Sequence, residues 1–266
     1  MSTLGHFLDH NRSITVLTGA GVSTASGIPD YRDDKGDWKA ATPIQYAEFA
    51  GSEDTRRRYW ARSYVGWQRF GQARPNAAHH SLARLEAAGK IDTLITQNVD
   101  RLHSRAGSER VIDLHGDLSN VRCIDCDATT RRADYQEQIK AVNPDWHARI
   151  FEYRPDGDAE LADASYGDFI VPDCSSCGGR MKPDVVMFGE NVPTQRVAAA
   201  MAAVDRADAL LVIGSSLMVY SGFRFARRAH ETGKPIAIVN RGATRADDLA
   251  TLKVEADCAA VLQPVI

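Results

Sequence analysis

The chain has 266 residues, 44% of them hydrophobic and 25% charged, with a net charge of −3. That is long enough for one large α/β domain or one and a half, with an ample core. The balance is ordinary for a soluble globular protein and argues against a general binder of phosphate backbones, so no nucleic-acid partner is expected.

No apolar run approaches the roughly 18 residues of a membrane-spanning helix, so no membrane partner is expected either. The opening Met1-Ser-Thr-Leu-Gly-His-Phe-Leu-Asp9 lacks the basic and apolar stretches of a secretory signal. Five cysteines, four of them in two C-x-x-C pairs, point to a metal site in an intracellular protein rather than to a disulfide framework.

The first predicted strand is Ile14-Thr-Val-Leu-Thr18, rich in β-branched residues. Gly19-Ala-Gly-Val-Ser-Thr-Ala-Ser-Gly-Ile-Pro-Asp-Tyr-Arg32 follows it directly. Glycines after a strand let the backbone approach a phosphate, and a following helix would offer its N–H groups to the anion. Gly27 comes too late for a G-x-G-x-x-G fingerprint, and an ordinary Gly-rich turn reads equally well. The tail, Ile28-Pro-Asp-Tyr-Arg32, has the look of a loop shaped over a ligand. Thr42-Pro43 resembles a helix cap with proline in the first turn.

Residues 52–70 read as a helix on which Tyr59 and Arg62 share a face. The bland account is packed aromatics and solvated arginines; the sharper one is a pair reaching an acyl group with a polar or acidic end. A helix over 75–89 and a strand over 91–96 come next, and their alternation predicts a parallel sheet with ligands beyond the strands' carboxyl ends. At such an end stand Gln97-Asn-Val-Asp100, suited to a carboxamide or, equally, to an Asx turn. The strand Val111–Leu114 ends in His115, a candidate base whose ordinary pKa of about 6.5 suits proton abstraction near neutrality, though a lone histidine is usually structural.

Cys123-Ile-Asp-Cys126 and Cys174-Ser-Ser-Cys177-Gly-Gly can each supply two thiolates to one tetrahedral ion. The four predict one structural zinc with no open coordination position; a redox dithiol or unpaired core cysteines are the alternatives. The span between the pairs, residues 127–173, is longer than an ordinary ribbon's roughly 15–20. It carries a predicted helix at Arg132–Val142 and a polar, acidic part, Pro155–Asp168. Further on, Val185–Gly189 reads as a strand, 195–207 as a helix, and Ala209–Ile213 as a buried strand. Gly214-Ser-Ser216 after it would suit a ribose or phosphate, or an ordinary strand-to-helix turn. A helix at 223–232, a strand at 235–240 and a last strand-like run, Ala256–Leu262, complete the set, with Cys258 expected as a buried apolar residue.

Taken in order, Gly-Ala-Gly-Val-Ser, Gly-Ile-Pro-Asp-Tyr-Arg, Thr-Gln-Asn-Val-Asp, Leu-His-Gly, the two C-x-x-C pairs, Val-Val-Met-Phe-Gly, Gly-Ser-Ser and Ile-Val-Asn resemble the sirtuins, NAD-dependent protein deacylases. The segments from Arg58 to Trp67 and from Thr244 to Ala250 resemble the class II branch, which includes a mitochondrial animal member and many bacterial ones. The resemblance implies an α/β fold: a Rossmann-like parallel sheet with helices on both faces, drawn from residues 1–32, 79–121 and 184–266. A smaller lobe would hold a helical insertion, 33–78, and a zinc module, 122–183.

It implies that Gly19, Ala20, Gly21, Ser23, Thr24, Ile28, Asp30, Tyr31 and Arg32 bind the pyrophosphate and nicotinamide ribose of NAD, with Gln97, Asn98, Val99 and Asp100 at the nicotinamide. Gly214, Ser215, Ser216, Asn240, Arg241, Gly242 and Cys258 would serve the adenosine half. Val186, Met187, Phe188 and Gly189, facing the segment from Val219 and Tyr220 to Gly222, would pair with the substrate backbone as an added strand.

In the implied mechanism Asn98 and Asp100 hold nicotinamide while the glycosidic bond breaks and the acyl oxygen attacks. His115 then takes a ribose hydroxyl proton so that this oxygen can attack the alkylimidate, yielding free lysine and O-acyl-ADP-ribose. Tyr59 and Arg62 keep a Tyr-x-x-Arg spacing similar to the acid-binding pair of desuccinylating sirtuins, from which a preference for bulky or acidic acyl groups is expected. The expected partners are acylated-lysine proteins, acted on by a cytoplasmic monomer. ADP-ribosyl transfer to proteins and non-catalytic NAD sensing are the competing readings; a zinc-ribbon nucleic-acid binder is disfavoured by the charge.

Overall fold

The structure, a computed structural model, describes residues 3–39, 43–162 and 165–263; the expected cap Thr42 and positions 163–164 of the acidic stretch lie outside them. In chain order it begins with α1 (Leu4–His10), β1 (Ile14–Thr18), two single-turn 3-10 pieces (Ala20–Val22 and Thr24–Ser26), α2 (Tyr46–Gly51), α3 (Glu53–Phe70) and α4 (Ala77–Ala87). Then come β2 (Ile91–Thr96), α5 (Leu102–Arg105), β3 (Val111–Asp113), β4 (Gly116–Cys123), β5 (Thr129–Arg131), α6 (Arg132–Val142), β6 (Arg149–Tyr153), β7 (Ala159–Ala162) and β8 (Met181–Val185). The chain closes with α7 (Thr194–Arg206), β9 (Ala209–Ile213), α8 (Tyr220–Glu231), β10 (Ile236–Val239), a 3-10 turn (Asp247–Leu249), β11 (Leu252–Val254) and α9 (Cys258–Leu262).

Six parallel strands form the main sheet in the order β11-β10-β9-β1-β2-β3. Alternate residues of each central strand feed opposite cores, as the pleat requires. Ile14, Val16, Leu211 and Val239 face one core with Leu4, Phe7 and Leu82, while Leu17, Leu210, Val212 and Ile238 face the other with Val204, Phe225 and Ala229. Helices therefore cover both faces.

The smaller lobe packs α2, α3 and α6 against the antiparallel sheet β5-β4-β8. Ser52 caps α3 by accepting from the Thr55 N–H at 3.2 Å, and Glu53 and Asp54 lie in the first turn, where the helix dipole favours acids. Trp60 is fully buried and donates its indole N–H to the Met181 carbonyl at 3.0 Å. Arg132 is buried too, its guanidinium over the rings of Trp60 and Trp67, and it donates to the Ser63 carbonyl at 3.2 Å. The helical insertion and the zinc module thus share one core.

Five local expectations differ from the structure. The anion-binding helix after Gly19 is replaced by two 3-10 turns, the second ending at Gly27 in the left-handed region. The predicted strand at Val185–Gly189 is displaced: pairing with β4 holds Met181–Val185, and only Val185 of the predicted span is strand. Tyr220, Ser221 and Gly222 form the first turn of α8, so of the expected second substrate-pairing edge only Val219 is extended (φ −79°, ψ 125°). The run Ala256–Leu262 contains a helix, because Asp257 accepts the Ala259 and Ala260 N–H groups and caps it; Leu252–Val254 supplies the edge strand instead. Finally, part of the acidic stretch pairs as β7 with β6 in a hairpin that packs Ala159 and Leu161 onto Val65 of α3.

Candidate active site

Of the residues predicted to contact NAD or the acyl-lysine, all but Gly222 line a single cleft of about 760 Å³ between the lobes, at the carboxyl ends of β1, β2, β9 and β10. The pairing of β1 with β9 carries Gly19 and Gly21 over the end of β9, where the Gly21 N–H bonds the Gly214 carbonyl at 2.9 Å. A Cβ on Gly19 would lie 2.8 Å from the Ser215 Cβ, and one on Gly21 would lie 2.9 Å from the Gly214 Cα. Only glycine permits this backbone crossing, which leaves a cradle of main chain open to the cleft.

At the end of β2, Asn98 Nδ2 donates to the Gly19 carbonyl (3.1 Å) and to Ser23 Oγ (3.0 Å), and Ser23 donates in turn to Asp100 (2.6 Å). Asp100 also accepts the Leu102 N–H at 2.9 Å, so it forms an Asx turn leading into α5 while lining the cleft. Burial raises its pKa, opposed by the Ser23 hydroxyl and the Leu102 amide. Beneath this corner lie His79 and His103, fully buried with ring centroids 4.7 Å apart. His103 Nε2 lies 2.9 Å from Thr18 Oγ1, Thr18 donates to Thr96 Oγ1, and Thr96 accepts the Asn98 N–H. Neither histidine drew notice in the sequence; the buried helix face carrying His79 was its only signal.

His115 ends the crossing from β3. Its Nδ1 lies 3.0 Å from the Gln97 carbonyl, which can only accept, so the proton sits on Nδ1 and the lone pair on Nε2. Burial is the main cause that lowers its pKa to about 4, with Arg196 and Arg224 adding repulsion and the Gln97 bond opposing. The ring is therefore neutral at pH 7, with Nε2 as its basic nitrogen. Gly116 follows at φ +89°, where a Cβ would lie 2.2 Å from the Asp184 carbonyl oxygen; the tight turn there aims the histidine into the cleft.

The 3-10 loop's tail closes over the same space. Asp30 pairs with Lys39 at 2.5 Å, and Arg32 sits 4.0 Å over the Trp38 ring while donating to the Gly36 carbonyl. Tyr31, Trp38 and Phe188 pack edge to face at 5.6–6.1 Å between centroids, which ties this loop to the segment Val186–Gly189. On the far side Asn240 bonds the Gly242 carbonyl, Arg241 pairs with Asp257, and burial pushes the Cys258 thiol up to about 12.

Tyr59 and Arg62 do share the cleft-facing side of α3, but Arg62 is already matched. Its Nε lies 3.1 Å from Asp158 and its terminal nitrogen 3.1 Å from Glu160, and Asp156 stands close by. Burial opposes the charge while these three acids hold it, so the guanidinium has no unpaired charge to offer a ligand. Asp156, Asp158 and Glu160 all line the cleft and were overlooked as site residues. Their every-other-residue spacing is the strand signal that could have placed them on one face of β7 and its turn.

The four cysteine sulfurs all lie within 4.8 Å of one another, Cys123 to Cys177 at 3.6 Å and Cys126 to Cys174 at 3.7 Å. A tetrahedron with arms of about 2.3 Å has edges of roughly 3.8 Å, so this donor set fits one zinc ion. Amides of the second knuckle turn toward sulfur: hydrogen bonds from Ser176 and, after it, Cys177 lower the Cys174 thiol to about 7 although burial opposes them. No donor beyond the four thiolates is needed, which makes the site structural.

Comparison with known proteins agrees with this geometry. The family model described as "Sir2 family" matches residues 19–221. An NAD-dependent protein deacetylase of Bradyrhizobium diazoefficiens is 56% identical over 98% of this chain and 95% of its own length. The cow protein named NAD-dependent protein lipoamidase sirtuin-4, mitochondrial, is 47% identical over 97% of this chain and 83% of its own length. Among solved structures, that of Sir2 with a p53 peptide and NAD+ superposes with a TM-score of 0.79, at 32% identity over 100% of this chain and 97% of the other. The chain belongs to the Sir2 family, the NAD-dependent sirtuins.

Proposed function

We propose that this chain is an NAD-dependent protein-lysine deacylase of the class II branch, releasing nicotinamide and O-acyl-ADP-ribose, with a preference for bulky acyl groups over acetyl. The observation that carries the reading is His115: a half-buried, neutral imidazole whose tautomer is set by Gln97 and whose lone-pair nitrogen, Nε2, lies in a cleft lined by the glycine cradle and Asn98. NAD supplies the leaving group and the electrophilic ribose carbon. The protein's part is to bind and orient. The cradle of Gly19, Gly21 and Gly214 receives the pyrophosphate, Asn98 and Asp100 hold the carboxamide, and His115 takes a ribose hydroxyl proton on Nε2.

The lipoamidase name of the cow relative supports the bulky half of the preference. The acidic half has less support, because Arg62 is paired with Asp158 and Glu160. A monomeric, cytoplasmic enzyme acting on acylated proteins completes the proposal; among the described residues no helix is long and apolar enough to cross a membrane.

The test is nicotinamide release followed by mass spectrometry over lysine peptides bearing acetyl, butyryl, succinyl, glutaryl, methylglutaryl and lipoyl groups, with a no-peptide control. Release is expected to depend on the peptide and to be faster for butyryl and lipoyl than for acetyl. Arg62→Ala is expected to slow every acyl group by loosening the hairpin. A selective loss on succinyl and glutaryl would restore the acidic reading, and release independent of any acyl peptide would overturn the proposal.

A further inference from the structure

The lone pair that makes His115 a base is not free in this structure. Ser221, expected from the sequence only as part of the segment pairing with the substrate backbone, places its hydroxyl 2.8 Å from His115 Nε2. Since Nδ1 carries the ring's one proton toward Gln97, the serine is the donor and Nε2 the acceptor. We infer that Ser221 occupies the place a ribose hydroxyl must take, and that its withdrawal sets the rate of the base-dependent step. This rests on the deacylase reading above.

The geometry leaves little other way for that place to open. Ser221 is the second residue of α8, whose first turn is closed by the Gly222 and Phe223 N–H groups on the Val219 carbonyl, both at 3.1 Å. The turn sits hard against the other partner of the base: a Cβ on Gly222 would lie 2.4 Å from Gln97 Oε1. The two groups that grip His115, one at each nitrogen, therefore belong to a single packed unit. Rotation of the Ser221 side chain about χ1 is the motion that clears Nε2 without moving the helix.

A neutral imidazole nitrogen has one lone pair in the ring plane, so serine and ribose compete for it directly. When the ribose hydroxyl wins, its proton passes to Nε2 and the ring becomes an imidazolium that keeps its Nδ1–H on Gln97. Ser221 touches the base and none of the reacting atoms; it is a positioning residue.

The test compares wild type, Ser221→Ala and Ser221→Thr in two assays on the same acyl peptide. One is formation of O-acyl-ADP-ribose, which needs the base; the other is exchange of labelled nicotinamide into NAD, which reports bond breaking before the base acts. Ser221→Ala is expected to raise product formation about fivefold, the factor matching a hydrogen bond of about 1 kcal/mol. Exchange is expected to stay within roughly twofold on the same scale, and Ser221→Thr, which keeps the hydroxyl, to behave as wild type.

A fall in product formation would mean the serine passes the proton on, and no change would mean the contact is idle. Parallel movement of both assays would mean altered packing. Each of these overturns the inference. Nitrogen-15 NMR of the His115 ring in the ligand-free protein reads the contact without turnover: the Nε2 signal should move in Ser221→Ala and return in Ser221→Thr, and an unmoved signal overturns it. A wild type that makes no acyl-dependent product would sink the deacylase reading, and the nitrogen signal would then decide on the contact alone.

Discussion

At the scale of single residues the site depends on a few groups held by backbone. His115 suits the proposed role of base because Gln97's carbonyl accepts a hydrogen bond from its Nδ1–H and because burial, with Arg196 and Arg224 near, lowers its pKa to about 4. The sign matters for rate. A base works when unprotonated, so a lowered pKa keeps it competent into acid, and the loss of activity falls near the shifted value instead of near 6.5. We therefore expect kcat/KM for NAD, which reports the free enzyme, to stay level from pH 8 to about pH 5.5 as far as His115 governs it. A decline centred near 6.5 that disappears when His115 is replaced would contradict this.

His115, Asn98 and Asp100 could be picked out of the sequence because each stands at the carboxyl end of a predicted parallel strand, where such sheets bind ligands. Ser221 could not, since its contact with His115 spans 106 positions and a serine in a helix's first turn carries no pattern of its own. The pairing of Arg62 was also hidden. The Tyr-x-x-Arg spacing places two residues on one helix face, but the acids that neutralise the arginine come from a hairpin about a hundred residues away.

Among the elements, the two cysteine knuckles and the small lobe's helices stand or fall together. Cys123 and Cys174 are buried in the same core as Trp60, Tyr135 and Phe169, so metal release removes both the cross-link between β4 and the second knuckle and the support for that core. Metal analysis should find one zinc per chain. A strong chelator should lower the melting temperature by several degrees and abolish activity, although no cysteine lines the cleft except Cys258. A chain that holds no zinc, or whose melting is unchanged on chelation, would contradict the assignment.

Knuckle spacing is local chemistry and was readable at once, as were the main-sheet strands β1, β2, β3, β9 and β10; the short, half-polar edge strand β11 was not. The antiparallel pieces were harder. β4 and β8 are half-polar strands that pair with each other across the whole 127–173 insert, and Pro183 inside β8 reads against a strand until its pairing is seen. The stretch around Pro155–Asp168 read as a polar insert because its acids face the cleft while Ala159 and Leu161, only two residues, carry its packing.

For the molecule as a whole, two lobes with separate cores enclose one cleft, and every part of the proposed chemistry is delivered to it from a different segment. The glycine cradle comes from the loop after β1, the amide and acid from that after β2, and the base from that after β3. The adenosine side comes from the ends of β9 and β10, and the acyl side from α3 and the β6–β7 hairpin. The order of the motifs along the chain, through its resemblance to the sirtuins, was enough to bring these segments to one cleft, the β6–β7 hairpin excepted.

What the order of motifs did not contain is how the small lobe packs within itself. That depends on Arg132 between two tryptophans and on the hairpin lying against α3, contacts made by side chains from unrelated segments.

The most direct test of the account is acyl-dependent formation of O-acyl-ADP-ribose from NAD, compared between wild type and His115→Ala with NAD binding measured alongside. The account expects the rate to fall by about 10²–10⁴-fold, the usual worth of a general base, while NAD still binds. Product formation that survives His115→Ala at a rate close to wild type would contradict it.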